Sequence, residues 1–279
     1  MPSHQDASPI VITGGTDGIG KALAYQLLPT NTPLLLIGRD SVKGQSVVDA
    51  LKQIHPDASI RFWSYDLSLM KQVHALAQRI TAELPPLQGI VHTAGVMLPQ
   101  RTLTSEGLET VFAVQYVARF ALTAALQGHL NPTSRIITVS AAGTIPLRLG
   151  WGNLQGEQFY SGIFALIHES VANDLWTLGF IPRNPDVLIY NYGPFLVNSS
   201  LFQSMPRGFR TITQLAAPLL GISPEAAAQD IFHLLSESHP SGLYRRHVKQ
   251  TRPSRYLSNS DTQKRLFSLT QTLIKSAIK

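Results

Sequence analysis

Thr13-Gly14-Gly15-Thr16-Asp17-Gly18-Ile19-Gly20 is the stretch that decides the fold. It follows a short β-branched run, Pro9 to Thr13, and opens a segment of helical spacing, Gly18 to Leu28. A glycine pattern in that setting is the turn through which a backbone approaches a pyrophosphate. Gly14 permits the tight turn. Gly18 and Gly20 let the chain come near the phosphates and let the helix pack on the sheet. The helix N-terminus adds free N–H groups and a positive dipole end. Gly14, Thr16, Asp17, Gly18, Ile19 and Gly20 are therefore candidates for dinucleotide contact.

Strand-like and helical segments alternate on either side of this loop. Pro33 to Ile37, Ile60 to Tyr65, Gln88 to Thr93, Arg135 to Ser140 and Asp186 to Tyr192 read as strands. Ser41 to Ile54, Ser68 to Leu84, Ser105 to His129 and Glu157 to Leu178 read as helices. The alternation predicts an α/β fold, a doubly wound parallel sheet with helices on both faces. Ser223-Pro224-Glu225 has the form of an N-cap, a first-turn proline and a first-turn acid. Ser260 and Gln263 have capping-box spacing ahead of a C-terminal helix over about 261–277.

The second strand ends at Gly38-Arg39. A carboxylate there binds the ribose of NAD, whereas an arginine suits the 2′-phosphate of NADP(H). Lys43 can assist, and Asp40 and Asp17 argue the other way.

The chain has 279 residues, 44% of them hydrophobic, which suits one domain over 9–279 after a disordered arm at 1–8. No apolar run reaches the ~18 residues a membrane span requires. The arm is polar and lacks the apolar core of a secretory signal, so the default compartment is cytoplasmic. There are no cysteines, which excludes disulfides, thiolate metal sites and cysteine nucleophiles; no metal is expected. The net charge of +6 is concentrated after Pro240, where nine lysines and arginines face Asp261 alone. That segment reads as a solvated basic surface. No nucleic-acid module accompanies it, and no nucleic-acid partner is expected.

The ordered set of motifs resembles the short-chain dehydrogenase/reductase family over nearly the whole chain. Thr13 to Gly20 matches Thr-Gly-x-x-x-Gly-x-Gly. Asp66-Leu67 looks like the adenine-contacting pair, and His92-Thr93-Ala94-Gly95 sits where the family has Asn-Asn-Ala-Gly. Phe112-Ala113-Val114-Gln115 resembles the segment with the active-site asparagine, and Ile136 to Ala141 the serine-bearing strand. Tyr160-Ser161 resembles the start of Tyr-x-x-x-Lys, and Pro194 to Ser199 the stretch beside the nicotinamide. The resemblance implies a Rossmann-type domain. It adds Asp66, Leu67, Thr93, Ala94, Gly95, Pro194 and Val197 to the cofactor contacts.

The departures gather at the chemistry. For the family's asparagine, serine, tyrosine and lysine, this chain offers Gln115, Ala141 preceded by Ser140, Tyr160 and Phe164. Gln115 is one methylene longer than asparagine. Ser140 is one residue early, and adjacent strand residues face opposite sides. Phe164 supplies no ammonium to lower a phenol whose ordinary pKa is about 10. Tyr160 then donates a proton more readily than it accepts one, which favours reduction over oxidation. His168, roughly 80° round a 3.6-residue helix from Tyr160, reads as an ordinary helix residue.

A substrate lid is expected over about 198–222, where Leu201, Phe202, Met205, Phe209, Leu215, Leu219 and Leu220 accompany Arg207 and Arg210. Such a lid suits a small hydrophobic substrate. Three readings remain open. One is an atypical NADP(H)-dependent oxidoreductase reducing a carbonyl or conjugated alkene, with Tyr160, Ser140 and Gln115 as its catalytic set. Another is a non-redox isomerase or cyclase, and the third a non-catalytic binding or scaffold protein. The resemblance also implies a homo-oligomer formed through the helices at 105–129 and 157–178.

Overall fold

The side chains of β1 (Ile10–Thr13) alternate between two apolar cores. Val11 joins Leu35, Ile37, Ile90, Ile136 and Ile189 on one side of the sheet. Ile10 and Ile12 join Leu34, Leu36, Val91 and Ile137 on the other. A strand buried on both faces reads as a continuous apolar run, as these do. The computed structural model describes residues 7–194, 197, 201, 204–206 and 221–279. Residues 1–6 of the arm expected at 1–8, most of the lid including Phe202, Arg207, Phe209, Arg210, Leu215, Leu219 and Leu220, and the residues Phe195, Leu196, Asn198 and Ser199 lie outside them, while Ser8 of that arm is held by Asn131 Nδ2 at 2.7 Å.

The chain runs through α1 (Gly18–Leu27), β2 (Leu34–Gly38), α2 (Ser41–Ile54), β3 (Ile60–Ser64), α3 (Met70–Glu83) and β4 (Leu87–His92). There follow α4 (Thr110–Phe112), a π turn at Ala113–Val117, α5 (Ala118–Leu126), β5 (Leu130–Val139) and α6 (Gly162–Phe180). The last elements are β6 (Leu188–Gly193), α7 (Pro224–Ser236), β7 (Gly242–Arg245), β8 (Lys249–Thr251) and α8 (Ser260–Ile278). The sheet order is β3-β2-β1-β4-β5-β6-β7-β8. All pairings are parallel except β7 with β8. The expected doubly wound sheet is therefore the observed one. Its order reverses between β1 and β4, where such sheets open a crevice beyond the strand ends.

Three helix starts differ from the spacing-based expectation, and the helix placed from Glu157 begins at Gly162, because Ser161 caps it by accepting from Phe164 N. The helix placed from Ser105 begins at Thr110, because Glu109 takes the N–H groups of Val111 and Phe112 on its carboxylate. The last helix is capped by Asn259, whose Oδ1 accepts from Thr262 N at 2.8 Å, and Ser260 is its first residue. Ser223 caps α7 as expected, with Pro224 in its first turn. Among the described residues no helix is long and apolar enough to cross a membrane.

Candidate active site

The crevice between β1 and β4 is a cleft of 430 Å³. Its near end is the glycine loop. Gly14 has φ +73°, and a Cβ there would stand 2.6 Å from Ala94 N. Thr93 pins that neighbour by donating its N–H and its hydroxyl to Thr13 O, at 3.0 and 2.6 Å. Asp17 caps α1 by accepting from Gly18 N at 2.7 Å. Gly14, Thr16, Asp17, Gly18, Ile19, Arg39, Asp66, Leu67, Thr93, Ala94, Gly95, Pro194 and Val197 all line the cleft. Gly20 does not; it lies beneath the loop, where a Cβ would meet Thr93 Oγ1 and Gly14 O. Arg39 is exposed at the rim, and Lys43 is held by Asp17 at 2.6 Å.

At the far end the structure departs from the spacing. Tyr160 is not among the lining residues. It precedes α6, whose cap is Ser161, and its hydroxyl donates to Leu98 O at 3.3 Å. Burial, with the Glu109 carboxylate beside it, raises its phenol above the ordinary tyrosine range. Phe164 packs between Phe159 and His168, away from the cleft lining. The α6 residues that reach the cleft are Leu166, Glu169 and Ser170. They share one face by the i, i+3, i+4 rule. Two residues four apart do line the cleft, but they are Leu166 and Ser170.

Ser140 lines the cleft just past β5, yet its hydroxyl donates to Asn191 Oδ1 at 2.9 Å. Asn191 Nδ2 in turn donates to Asp174 Oδ1 at 2.8 Å, and Gly143 N to Asp174 Oδ2 at 2.9 Å. Burial pushes the Asp174 carboxyl up to about 7. Ala141 N donates to Ser170 Oγ at 3.3 Å. Gln115 comes from the π turn, and its Oε1 accepts from Val96 N at 3.2 Å. Its Nε2 is buried and meets no partner among the described residues.

Spacing also missed two charged groups, Arg119 and Glu169. Both are almost fully buried, 4% and 2% exposed, and both line the cleft. Arg119 donates to Val139 O at 3.0 Å and Ala94 O at 2.9 Å. Burial draws its guanidinium down to about 10, and Glu169 partly restores it. Glu169 Oε2 accepts from Asn173 Nδ2 at 2.6 Å. Burial pushes its carboxyl up to about 7 against the pull of Arg119. A signal existed for Arg119, a charge inside the largely apolar stretch Ala118–Leu126, which burial makes costly without a role; Glu169 sits in a polar stretch with His168, Ser170, Asn173 and Asp174 and carried no such signal.

The short chain dehydrogenase family matches residues 8–150. Retinol dehydrogenase 12 of Bos taurus is 30% identical over 273 residues, covering 95% of this chain and 85% of that protein. Polyprenol dehydrogenase of Danio rerio is 26% identical over 250 residues, covering 86% and 77%. A crystal structure of a Mycobacterium paratuberculosis protein superposes with a TM-score of 0.73 at 20% identity, covering 98% and 97% of the two chains. With its glycine loop, sheet order and crevice in agreement with these matches, the chain belongs to the short chain dehydrogenase family of oxidoreductases.

Proposed function

We propose that the protein is an NADP(H)-linked reductase of a carbonyl or conjugated alkene in a small hydrophobic molecule. The observation that carries this reading is one continuous cleft. It joins the glycine loop and Arg39 to Gln115, Arg119 and Glu169. The residues present suit the dinucleotide. Gly14 presses its bare Cα on Ala94, so no side chain fills the loop. The buried Nε2 of Gln115 has a donor to offer at the far end. When bound, the reduced nicotinamide supplies a hydride.

The chain's own residues supply the rest. The first-turn N–H groups of α1 beyond Gly18 would bind phosphate, since those of Gly14 and Gly15 donate to Ile37 O and that of Gly18 to Asp17. Arg39 holds the 2′-phosphate as a charge-assisted partner. Val96, Met97, Val114 and Leu166 line the cleft with apolar surface, which excludes water and admits an apolar substrate. Arg119 sets a buried positive charge beside the position where negative charge grows on the substrate oxygen. Tyr160 lies off the cleft lining and a serine hydroxyl does not titrate, so neither Tyr160 nor Ser140 supplies a proton in this scheme. Two similar proteins are named for retinol and polyprenol, both apolar alcohols, and the corresponding aldehydes are the substrate class proposed here.

The test is a titration of the protein with NADPH and NADH by nicotinamide fluorescence, followed by a panel of apolar aldehydes, ketones and enones. Selective NADPH binding with turnover is the expected result. Lack of binding, or binding without turnover of any panel member, overturns it. Leu166 and Ser170 on the cleft favour one rival, an isomerase or cyclase without net redox chemistry. Conversion of a substrate at the same rate without nicotinamide would establish that rival.

A further inference from the structure

We propose that Glu169, held by Ser170 and Asn173 and faced by Arg119, is the catalytic acid that gives the substrate its proton. The assignment rests on the reductase reading above and names the group that reading needs. Among the described residues lining the cleft, the titratable side chains are Asp17, Arg39, Tyr65, Asp66, Arg119 and Glu169. The first four line the glycine-loop half, on or beside β1, β2 and β3. Arg119 and Glu169 stand with Gln115, Leu166 and Ser170 at the other end. Arg119 keeps its proton at working pH, so Glu169 is the one group there that can exchange one.

Hydrogen-bond accounting agrees. A serine hydroxyl has one hydrogen. Ser170 Oγ lies 2.8 Å from Leu166 O and 3.1 Å from Glu169 Oε1. With its hydrogen on Leu166 O, the contact to Glu169 closes when Oε1 carries a proton and donates it to Ser170. Ser170 then accepts from both Glu169 and Ala141 N. The Oε2 side is fixed by Asn173, whose Nδ2 also donates to Gln115 O at 2.8 Å. The acid is thus tied to the backbone of the π turn that carries Gln115.

The step balances. The carbonyl carbon gains a hydride and its C–O π pair moves to oxygen, which takes the Glu169 proton. The substrate is reduced by two electrons and the nicotinamide oxidised by two. The carboxylate that remains is stabilised by Arg119 and regains a proton from water after product leaves. The charged or titratable groups facing Glu169 are Arg119 from α5 and Asp174 from its own helix, with Ser170 and Asn173 as polar neighbours.

The experiment compares wild type with Glu169→Gln, using 9,10-phenanthrenequinone and all-trans-retinal with NADPH. Wild-type kcat should fall as pH rises through about 7. Glu169→Gln should lose about 10²-fold in kcat, show no such limb, and bind NADPH as wild type does. Turnover and pH limb unchanged in Glu169→Gln overturn the assignment and leave the reductase reading intact. No turnover by wild type of either probe or of any member of the panel above overturns both. A readout free of turnover comes from carbon-13 spectra of glutamate-labelled protein. One buried carboxyl should titrate near neutrality and vanish in Glu169→Gln. Glutamates all ionised from pH 5 upward overturn the assignment even if the variant fails to fold.

Discussion

Replacing Gly14 by alanine tests the contact on which the whole cleft is built. Three contributions act. A non-glycine residue at φ +73° costs about 1–2 kcal/mol. The new Cβ would stand 2.6 Å from Ala94 N and 2.7 Å from Ala94 Cα. Both are backbone atoms, and the hydrogen bonds from Thr93 to Thr13 O keep them from retreating, so overpacking adds about 1–3 kcal/mol. Stiffening of the unfolded chain returns about 0.4–1 kcal/mol. The net loss is about 2–3 kcal/mol, or about 5 °C in Tm for a chain of this size. Gly107 is the control. Its φ is +79°, but nothing lies within 4 Å of its added Cβ. Gly107→Ala therefore bears the backbone strain alone and should lower Tm by about 1–2 °C. Scanning calorimetry on both variants, without nucleotide, separates sterics from strain. Equal shifts would mean that the loop does not press on Ala94 and that the cleft floor is wrongly described.

Arg39→Ala should weaken NADPH binding about tenfold and leave NADH unchanged, since an exposed charge-assisted contact lies at the low end of about 1.5–3 kcal/mol; an equal loss for both nucleotides in a fluorescence titration would remove Arg39 from the 2′-phosphate. Stability should fall from about pH 4 to about pH 7 and level off above that. Glu169 and Asp174 have folded values near 7, above their ordinary range, so their contribution is full at low pH and is lost as pH rises through 7. His92, depressed from 6.5 to about 3 by burial, acts oppositely across about pH 3 to 6.5, so the acid contribution is read as the difference between wild type and the two acid variants. Glu169→Gln and Asp174→Asn should each flatten the melting profile by on the order of 1 kcal/mol, and a profile unchanged in both variants would contradict their burial as acids. Phe164→Lys, the restoration that spacing suggests, should leave alcohol oxidation undetectable, because the ring packs on Phe159 and His168 outside the cleft lining; a gain of dehydrogenase activity would return Tyr160 and Phe164 to the site.

Much of the architecture was legible because its signals are periodic. Apolar runs at Pro33–Ile37 and Gln88–Thr93 mark buried parallel strands, and Ser41–Ile54 marks α2 to the residue. The glycine-loop half of the cleft was legible because such a loop is read by local context. The far half was not, because its meaning depends on where α6 starts. A tyrosine at 160 invites counting from 160, but Ser161 caps the helix and the cleft-facing positions are 166, 169 and 170. β7 and β8 are four and three residues long, too short to show a period. Arg119 carried the strongest unused signal, a charge within the largely apolar α5, whereas Glu169 was hidden among the polar residues of α6.

The π turn at Ala113–Val117 gives the cleft a second dependence, on chain length itself. Its wider ring closes from Ala118 N to Ala113 O, one residue beyond an α turn. Asn173 takes the Gln115 carbonyl within that turn. The extra residue rephases the helix by about 100° between the segment before it and the segment after it. Gln115 and Arg119, four residues apart, both meet the cleft, and Tyr116 faces Thr270 on α8. Deleting one residue from 113–117 would leave a better helix by every local measure. It would also turn the segment that carries Phe112 by about 100° against the segment that carries Arg119, so the irregular turn sets the phase between the start of this helix and its cleft-facing part.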